Sequence, residues 1–183
     1  FTTTNIDTTA PTVSSIYPTD NQSYASKSDN ISVTFSEAME VSSVNTNTSN
    51  TSCSGSLQVS SDNFNTCVQM SSAPTASNSN KTFTVVPNAN LSLITIYLIR
   101  VTTGVEDVAG NNLSSQYQTT YGFTTNLFVA VGEDGTIVIS SDTINWTPVT
   151  NTSGYMSISA DLSDITFGNG TFVITGGSAA YKS

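Results

Sequence analysis

The sequence contains no histidine, and only four of its 183 residues are Lys or Arg. Without imidazole it lacks the commonest general base and the commonest zinc ligand, which excludes most hydrolytic triads and zinc centres. Thirteen Asp and Glu against those four cations give a formal net charge of -9. A chain so short of cations cannot neutralise a row of phosphates, so nucleic acid is excluded as a partner. Docking on anionic lipid is excluded on the same ground. Long apolar runs are missing too. "LITIYLIRV" at 93–101 is far too short to span a bilayer as a helix, so membrane insertion is not expected. Charged residues make up 9% of the chain, where globular domains usually carry about 25%. Ser, Thr and Asn take their place, a surface common outside the cell.

Cysteine is scarce as well. Cys53 and Cys67 lie in a Ser/Asn-rich stretch with little core of its own. A bridge between them closes a loop of about 15 residues, worth roughly 3 kcal/mol in the chain-entropy model. Two free buried thiols are the alternative. A disulfide and a hydroxyl-rich surface together point to an extracellular, cell-surface or secreted protein, present here as a mature or excised piece.

What the sequence does hold is short, β-rich segments. Residues 5–12, "NIDTTAPT", read as a polar linker. Seven predicted strands follow, rich in β-branched and aromatic residues and bounded by turn formers. They cover Val13–Tyr17, Ile31–Phe35, Ser56–Val59, Cys67–Met70, Thr82–Val86, Leu93–Val101 and Tyr117–Phe123. "ISVTF" alternates apolar and polar, as a strand with one buried face should. "LITIYLIRV" is almost wholly apolar and reads as the central, most buried strand. Helical periodicity is lacking, and "SEAMEVSSV" (36–44) offers a turn or two at most. Seven short strands in this length predict an all-β antiparallel sandwich of the immunoglobulin type.

Residues 7–125 resemble the bacterial Ig-like domains strung in tandem on surface proteins and adhesins. The resemblance is carried by "DTTAPTVSSIYPTD", "VTFSEAMEVSSV" and "VEDVAGNNLSSQYQTTYGFTT", in that order along the segment. The "CSGSLQVSSDNFNTC" insert departs from the simplest form of the pattern and reads as a cysteine-stapled excursion between strands. The opening "FTTTN" echoes "YGFTTN" at 121–126, so residues 1–6 are expected to be the end of a preceding repeat and its linker.

After residue 126 the text changes. "LFVAVGEDGTIVISSD" (127–142) and "TFVITGGSAAYKS" (171–183) align without gaps at an offset of 44, with Phe128 on Phe172 and Gly132 on Gly176. A period near 40–50 residues is that of propeller blades. "SSDTINW" and "ITFGNGTFV" resemble the Asp-box-like repeats of β-propellers. That resemblance implies Asp142 in a turn and Trp146 packed on the blade, with Thr143 where a glycine is usual. Residues 126–183 are therefore expected to form an incomplete propeller-type blade region. "GEDGT" (132–136) reads as a hairpin turn, Asp134-Gly135 being a favoured pair.

Candidate site residues are few. In the "EDVAGNN" turn, Glu106, Asp107, Asn111 and Asn112 are hard oxygen ligands suited to calcium. Relatives of this kind add a linker acid at the junction of tandem domains, which here is Asp7. The alternative is structural: Asp107 makes an Asx turn and Gly110 supplies a positive φ. Glu37 and Glu40 are paired carboxylates three apart, read as a capping acid and a surface acid rather than as a glycosidase pair, with Glu37 alternatively placed to receive backbone donors from a neighbouring turn. Trp146, Tyr155, Phe167 and Tyr181 read as core aromatics rather than sugar-stacking platforms.

No cofactor is required beyond candidate calcium. The expected function is non-enzymatic: an Ig-like spacer of an extracellular surface protein that carries a propeller-type recognition or adhesion region. Expected partners are neighbouring repeats of the same protein or identical subunits, together with host or matrix proteins or glycans. A second expectation is a filament subunit assembled by strand addition, with Phe1–Thr4 completing a neighbour's sheet. A third is a glycan-binding or glycan-processing propeller, disfavoured by the missing histidine and by Arg100 being the single arginine.

Overall fold

The computed structural model describes residues 6–149, 160–168 and 171–177 and the backbone of 179–182. The expectations for residues 1–5, Tyr155 and the Tyr181 side chain lie outside the described residues. Two compact units divide the chain, Phe1–Thr125 and Asn126–Ser183.

In the first unit, β1 (Val13–Tyr17), β2 (Ile31–Phe35), β4 (Thr75–Ser77) and β5 (Thr82–Val85) form one sheet in the order β1-β2-β5-β4. A second sheet holds β3 (Leu57–Ser60), β6 (Thr95–Val101) and β7 (Tyr117–Gln118), and β8 (Phe123–Thr125) also pairs with β6. Every pairing is antiparallel. The alternation of "ISVTF" turns Ile31, Val33 and Phe35 inward, where they meet Phe83 and Val85 of the neighbouring β5. From the other sheet come Leu57, Val59, Tyr97, Ile99, Val101 and Phe123. Phe35 and Phe83 meet edge to face, with centroids 6.0 Å apart, and Tyr97 stacks on Phe123 at 5.6 Å. Each such side chain, once buried, is worth about 1.5–3 kcal/mol.

Several predicted strands change on folding. Residues 67–70 are not a strand: Cys67 is pinned by its disulfide and by its N–H to Thr51 O, and only Met70 forms a bridge, to Pro87. The strand predicted at 93–101 begins at Thr95, because Ile94 takes a left-handed φ of 54° that ends the extended run. β6 is central in its sheet, but only one face is buried, and Ile96 on the other is 55% exposed. The segment 117–123 splits into β7 and β8 around a turn. There Gly122 (φ 74°) lies against the Tyr97 carbonyl, where a Cβ has no room. The 36–44 stretch yields only a 3₁₀ turn at Val41–Ser43, capped by Glu40. β4 was not anticipated, since "TAS" carries no apolar alternation.

The second unit contains two three-stranded antiparallel sheets. One runs β11-β10-β9, from β9 (Phe128–Val131), β10 (Ile137–Ser140) and β11 (Thr147–Pro148). The other runs β12-β13-β14, from β12 (Leu162–Gly168), β13 (Thr171–Gly176) and β14 (Ala179–Lys182). Asp134 (φ 52°) and Gly135 (φ 70°) sit at the centre of the β9–β10 turn, closed by Thr136 N–H donating to Glu133 O. The second hairpin is one residue tighter. Gly132 N–H donates to Thr136 O in the first, whereas Gly176 pairs with Ala179 in the second, so the gapless offset of 44 slips there by one residue. The described residues form no closed propeller.

Candidate functional site

Asp107 organises the turn that follows the core strands. It is 1% exposed, and its own backbone N–H donates to Asn111 O. Its Oδ1 accepts the backbone N–H groups of Ala109 and Asn111, each at 2.8 Å, and its Oδ2 accepts Asn111 Nδ2 at 2.8 Å. Gly110 adopts φ 89°, as the turn requires. Burial pushes the Asp107 carboxyl up, but these donors outweigh burial and hold it below the usual range.

Two further carboxylates converge on it. Carboxylate oxygens of Asp7, Glu37 and Asp107 all lie within 4.8 Å of one another. Asn111 Nδ2 also donates to the Asp7 carbonyl at 3.2 Å, tying the linker to the turn. Glu37 is pushed up by burial and then by the charges of Asp7 and Asp107; the Lys81 ammonium and a Ser36 hydrogen bond pull it back only in part. The structure thus gathers Asp7, Asp107 and Asn111 and adds Glu37, which sequence reasoning had aimed at backbone donors. Glu106 and Asn112 are not gathered with them. Neighbours in an extended bridge point to opposite sides, and Asn112 Nδ2 turns to Thr103 O and Glu106 Oε1. Glu40 is separate again, its Oε1 accepting Ser42 N–H. The grouped donors are all hard oxygens, the type calcium takes, though calcium usually gathers about six to eight of them. Asp107 already spends three acceptances on its own turn.

The remaining motifs are turns. Asp142 Oδ1 accepts the N–H groups of Ile144 and Asn145, its Oδ2 accepts Asn145 Nδ2, and Ser140 Oγ bonds to Oδ1. The Asn145 amide, with these backbone donors behind it, holds the Asp142 carboxyl far below its usual range. Thr143, at φ 65°, takes the conformation that a glycine would take freely. Trp146 closes the turn with Nε1–H to Thr143 O and stays 40% exposed instead of packing away. Phe167, 46% exposed, tilts against Phe172 at 4.6 Å. Sequence reasoning missed the first unit's twin of the Asp142 turn. In "VSSDNFNT", Ser60 Oγ donates to Asp62 Oδ1, and Asp62 gathers Thr66 N–H and Oγ1–H. The shared "SSD" was the available signal. Asp20 was missed as well: its carboxylate accepts N–H groups from Thr120, Tyr121 and Gly122. Cys53 and Cys67 are bonded, at 2.08 Å. Arg100 lies 3.5 Å over the Phe64 ring and donates to Gln118 and Gln58, so it is part of the framework.

Two surface depressions of about 200 and 190 Å³, one beside Tyr97 and one beside Tyr117, fall below the roughly 300–1,000 Å³ of ligand pockets.

The family model of the bacterial Ig-like domain matches residues 7–125, the segment that holds both sheets of the sandwich and the Asp107 turn. The chain belongs to the bacterial Ig-like family. No curated protein matches it. Among solved structures this Ig-like chain is similar to surface layer protein SbsC, domains 1–6, at 15% identity and a TM-score of 0.45, covering 96% of this chain and 25% of that one. It is likewise similar to the S-layer protein rSbsC(31-844), at 16% identity and a TM-score of 0.44, covering 94% and 24%. For the N-terminal part of the bacterial S-layer protein SbsC the values are 14%, 0.45, 96% and 42%. The chain therefore spans between a quarter and two fifths of the length of those proteins. No helix among the described residues is long and apolar enough to cross a membrane.

Proposed function

We propose that this chain is a non-enzymatic structural segment of an extracellular surface protein, in which the Ig-like sandwich serves as a spacer. The observation that carries the reading is the family match over residues 7–125. The disulfide supports it, since such bonds persist in oxidising compartments, as does a surface made of hydroxyls and amides. Asp20, Asp62, Asp107 and Asp142 spend their carboxylates on the backbone of turns. Protease shaving of intact cells tests the reading. Peptides of residues 7–125 are expected in the shaved fraction, and their confinement to the lysate would sink it.

In the same reading the second unit is a pair of consecutive blade-type repeats, the second incomplete. Support comes from the offset of 44, which places β9 on β13, and from the Asp142 turn between β10 and β11. Exchanging the differing residues of those strands tests it, as Ala130→Ile and Val131→Thr against Ile174→Ala and Thr175→Val. Equivalent strands leave a folded unit, and loss of folding refutes the equivalence.

A further inference from the structure

We infer that Asn50 is an acceptor for N-linked glycosylation, and that the fold selects it over an identical triplet beside it. Residues 47–52 read "NTSNTS", two consecutive Asn-Thr-Ser sequons. Their letters are the same, so only the fold can choose between them. The inference rests on the extracellular reading, because such sequons are used in secreted chains, and adds a modification to it.

Folding separates the two asparagines. Asn47 is 2% exposed, and its Nδ2, the atom that would carry the sugar, donates to Asn50 O at 2.9 Å. Its main-chain carbonyl accepts the N–H of Met70, a fully buried residue. Asn50, Thr51 and Ser52 are all exposed and belong to no strand. Asn50 Oδ1 accepts the backbone N–H of Ser52 at 2.8 Å, which holds the amide oxygen against the hydroxyl residue of its own triplet. No described residue accepts from Asn50 Nδ2. The main chain here is anchored as well: Thr51 O accepts Cys67 N–H, and Cys67 is bonded to Cys53. The second triplet is a fixed, exposed bend with its nitrogen uncommitted.

Other described sequons are committed elsewhere. Asn112 and Asn145 spend their Nδ2 groups, the first on Thr103 O and Glu106 Oε1, the second on Asp142 Oδ2. Ser32, the hydroxyl residue after Asn30, pairs in the sheet with Tyr17 on one side and Thr84 on the other. Thr82, after Asn80, lies in β5 between Thr34 and Ser77. After Asn90, Leu91 is buried and Ser92 N–H donates to the Tyr97 hydroxyl. Asn21 is exposed, but no described bond joins its side chain to Ser23.

The transfer is redox-neutral. Asn50 Nδ2 attacks the anomeric carbon of a glycan carried on a polyprenyl diphosphate. The bond from that carbon to the diphosphate oxygen breaks, the diphosphate leaves with the electron pair, and Nδ2 gives one proton to a base of the transferase. This chain supplies the acceptor and the transferase supplies the catalysis.

The test incubates the folded, oxidised 183-residue chain with a purified oligosaccharyltransferase and an N-acetylhexosamine oligosaccharide on polyprenyl diphosphate. Fragment-ion mass spectrometry across residues 45–54 reads which asparagine carries the sugar. A synthetic peptide of the same residues, NTNTSNTSCS, offers both triplets without the fold. Similar modification of Asn47 and Asn50 is expected in the peptide. In the folded chain Asn50 should be modified at least about tenfold more than Asn47, which reacts only on local opening. Ser52→Ala keeps the backbone N–H but loses the hydroxyl, and should lose the sugar; Asn47→Gln should keep it. Equal modification of Asn47 and Asn50 in the folded chain, sugar on Asn21 in place of Asn50, or an unmodified chain beside a modified peptide overturns the proposal. So does an Asn50 left bare in the peptide. The reaction needs only the purified chain, so its failure removes the acceptor alone. Confinement of the shaved peptides to the lysate removes the extracellular reading instead.

Discussion

Thr143 holds a left-handed backbone in a turn whose hydrogen bonds belong to Asp142 and Ser140. That conformation costs a β-branched residue about 1–2 kcal/mol; the backbone bonds of Thr143 to Ser140 and Trp146 survive in glycine, and what its side chain adds is the bond from its hydroxyl to Asp142 O. Thr143→Gly is therefore expected to raise the stability of the second unit by about 1 kcal/mol, read as a higher urea midpoint at unchanged slope. A lower midpoint would show that the hydroxyl matters more than the strain. Glu37 makes a prediction of opposite character. Its folded pKa lies above its ordinary value, raised by burial and by Asp7 and Asp107, so its ionisation opposes folding. The stability linked to this group is full below the ordinary Glu range and falls as pH rises through the folded value. Glu37→Gln in EDTA should accordingly melt higher than wild type at neutral pH, and the gap should close in acid. A gap independent of pH points to packing instead of charge. Adding calcium to the same pair reads the cluster's other candidate role. A rise confined to the wild type favours ligation, and two unmoved curves retire Asp7, Glu37 and Asp107 as ligands.

At the scale of elements, the disulfide and the Asp20 clamp hold what the sheets do not. Cys53–Cys67 spans 14 residues in sequence and anchors a stretch with no strand but β3. Replacing both cysteines by serine should cost about 3 kcal/mol in the first unit, measured by chemical unfolding. A loss below about 1 kcal/mol would mean that the Asp62 turn and the Cys67 N–H bond hold the insert unaided. Asp20→Ala removes the acceptor of three backbone N–H groups at the β7–β8 turn and should cost about 1–2 kcal/mol. Fast amide exchange at Thr120–Gly122 is its signature. The contrast between these features explains what the sequence made legible. β1, β2 and most of β5 follow from alternation and flanking turns, which are local properties. The cysteine pair follows from composition. The break between β7 and β8 was hidden because it depends on Asp20, a hundred residues away, and on a backbone approach at Gly122. Residues 67–70 look like a strand by propensity, but a covalent bond and crossing hydrogen bonds set their path. Around the acidic cluster, Asp107 and Asn111 could be named from turn chemistry and Asp7 from the resemblance to tandem Ig-like domains. Glu37 could not, because it arrives from the segment after β2, and only the paired sheets bring that segment to the Asp107 turn.

For the whole molecule, the division at Thr125 and Asn126 offers a direct test, because the chain's single tryptophan lies in the second unit. Trp146 is 40% exposed and hydrogen-bonded within the Asp142 turn, so opening that turn changes its solvent contact and its emission. Tyr97, buried and stacked on Phe123 in the sandwich, contributes tyrosine near-ultraviolet dichroism from the first unit. The two signals therefore report two units in one sample. Two compact units with separate cores are expected to give two transitions, whereas one cooperative domain makes all probes coincide. Reducing Cys53–Cys67 should then move the dichroism midpoint and leave the fluorescence midpoint in place. Thr143→Gly should do the reverse. Changes at distant, independent sites add to within about 0.5 kcal/mol, so the reduced Thr143→Gly protein should show both shifts undiminished. A single transition by both probes, or a shift that crosses from one signal to the other, would establish that the sandwich and the second unit fold as one body. The spacer reading would then apply to the pair.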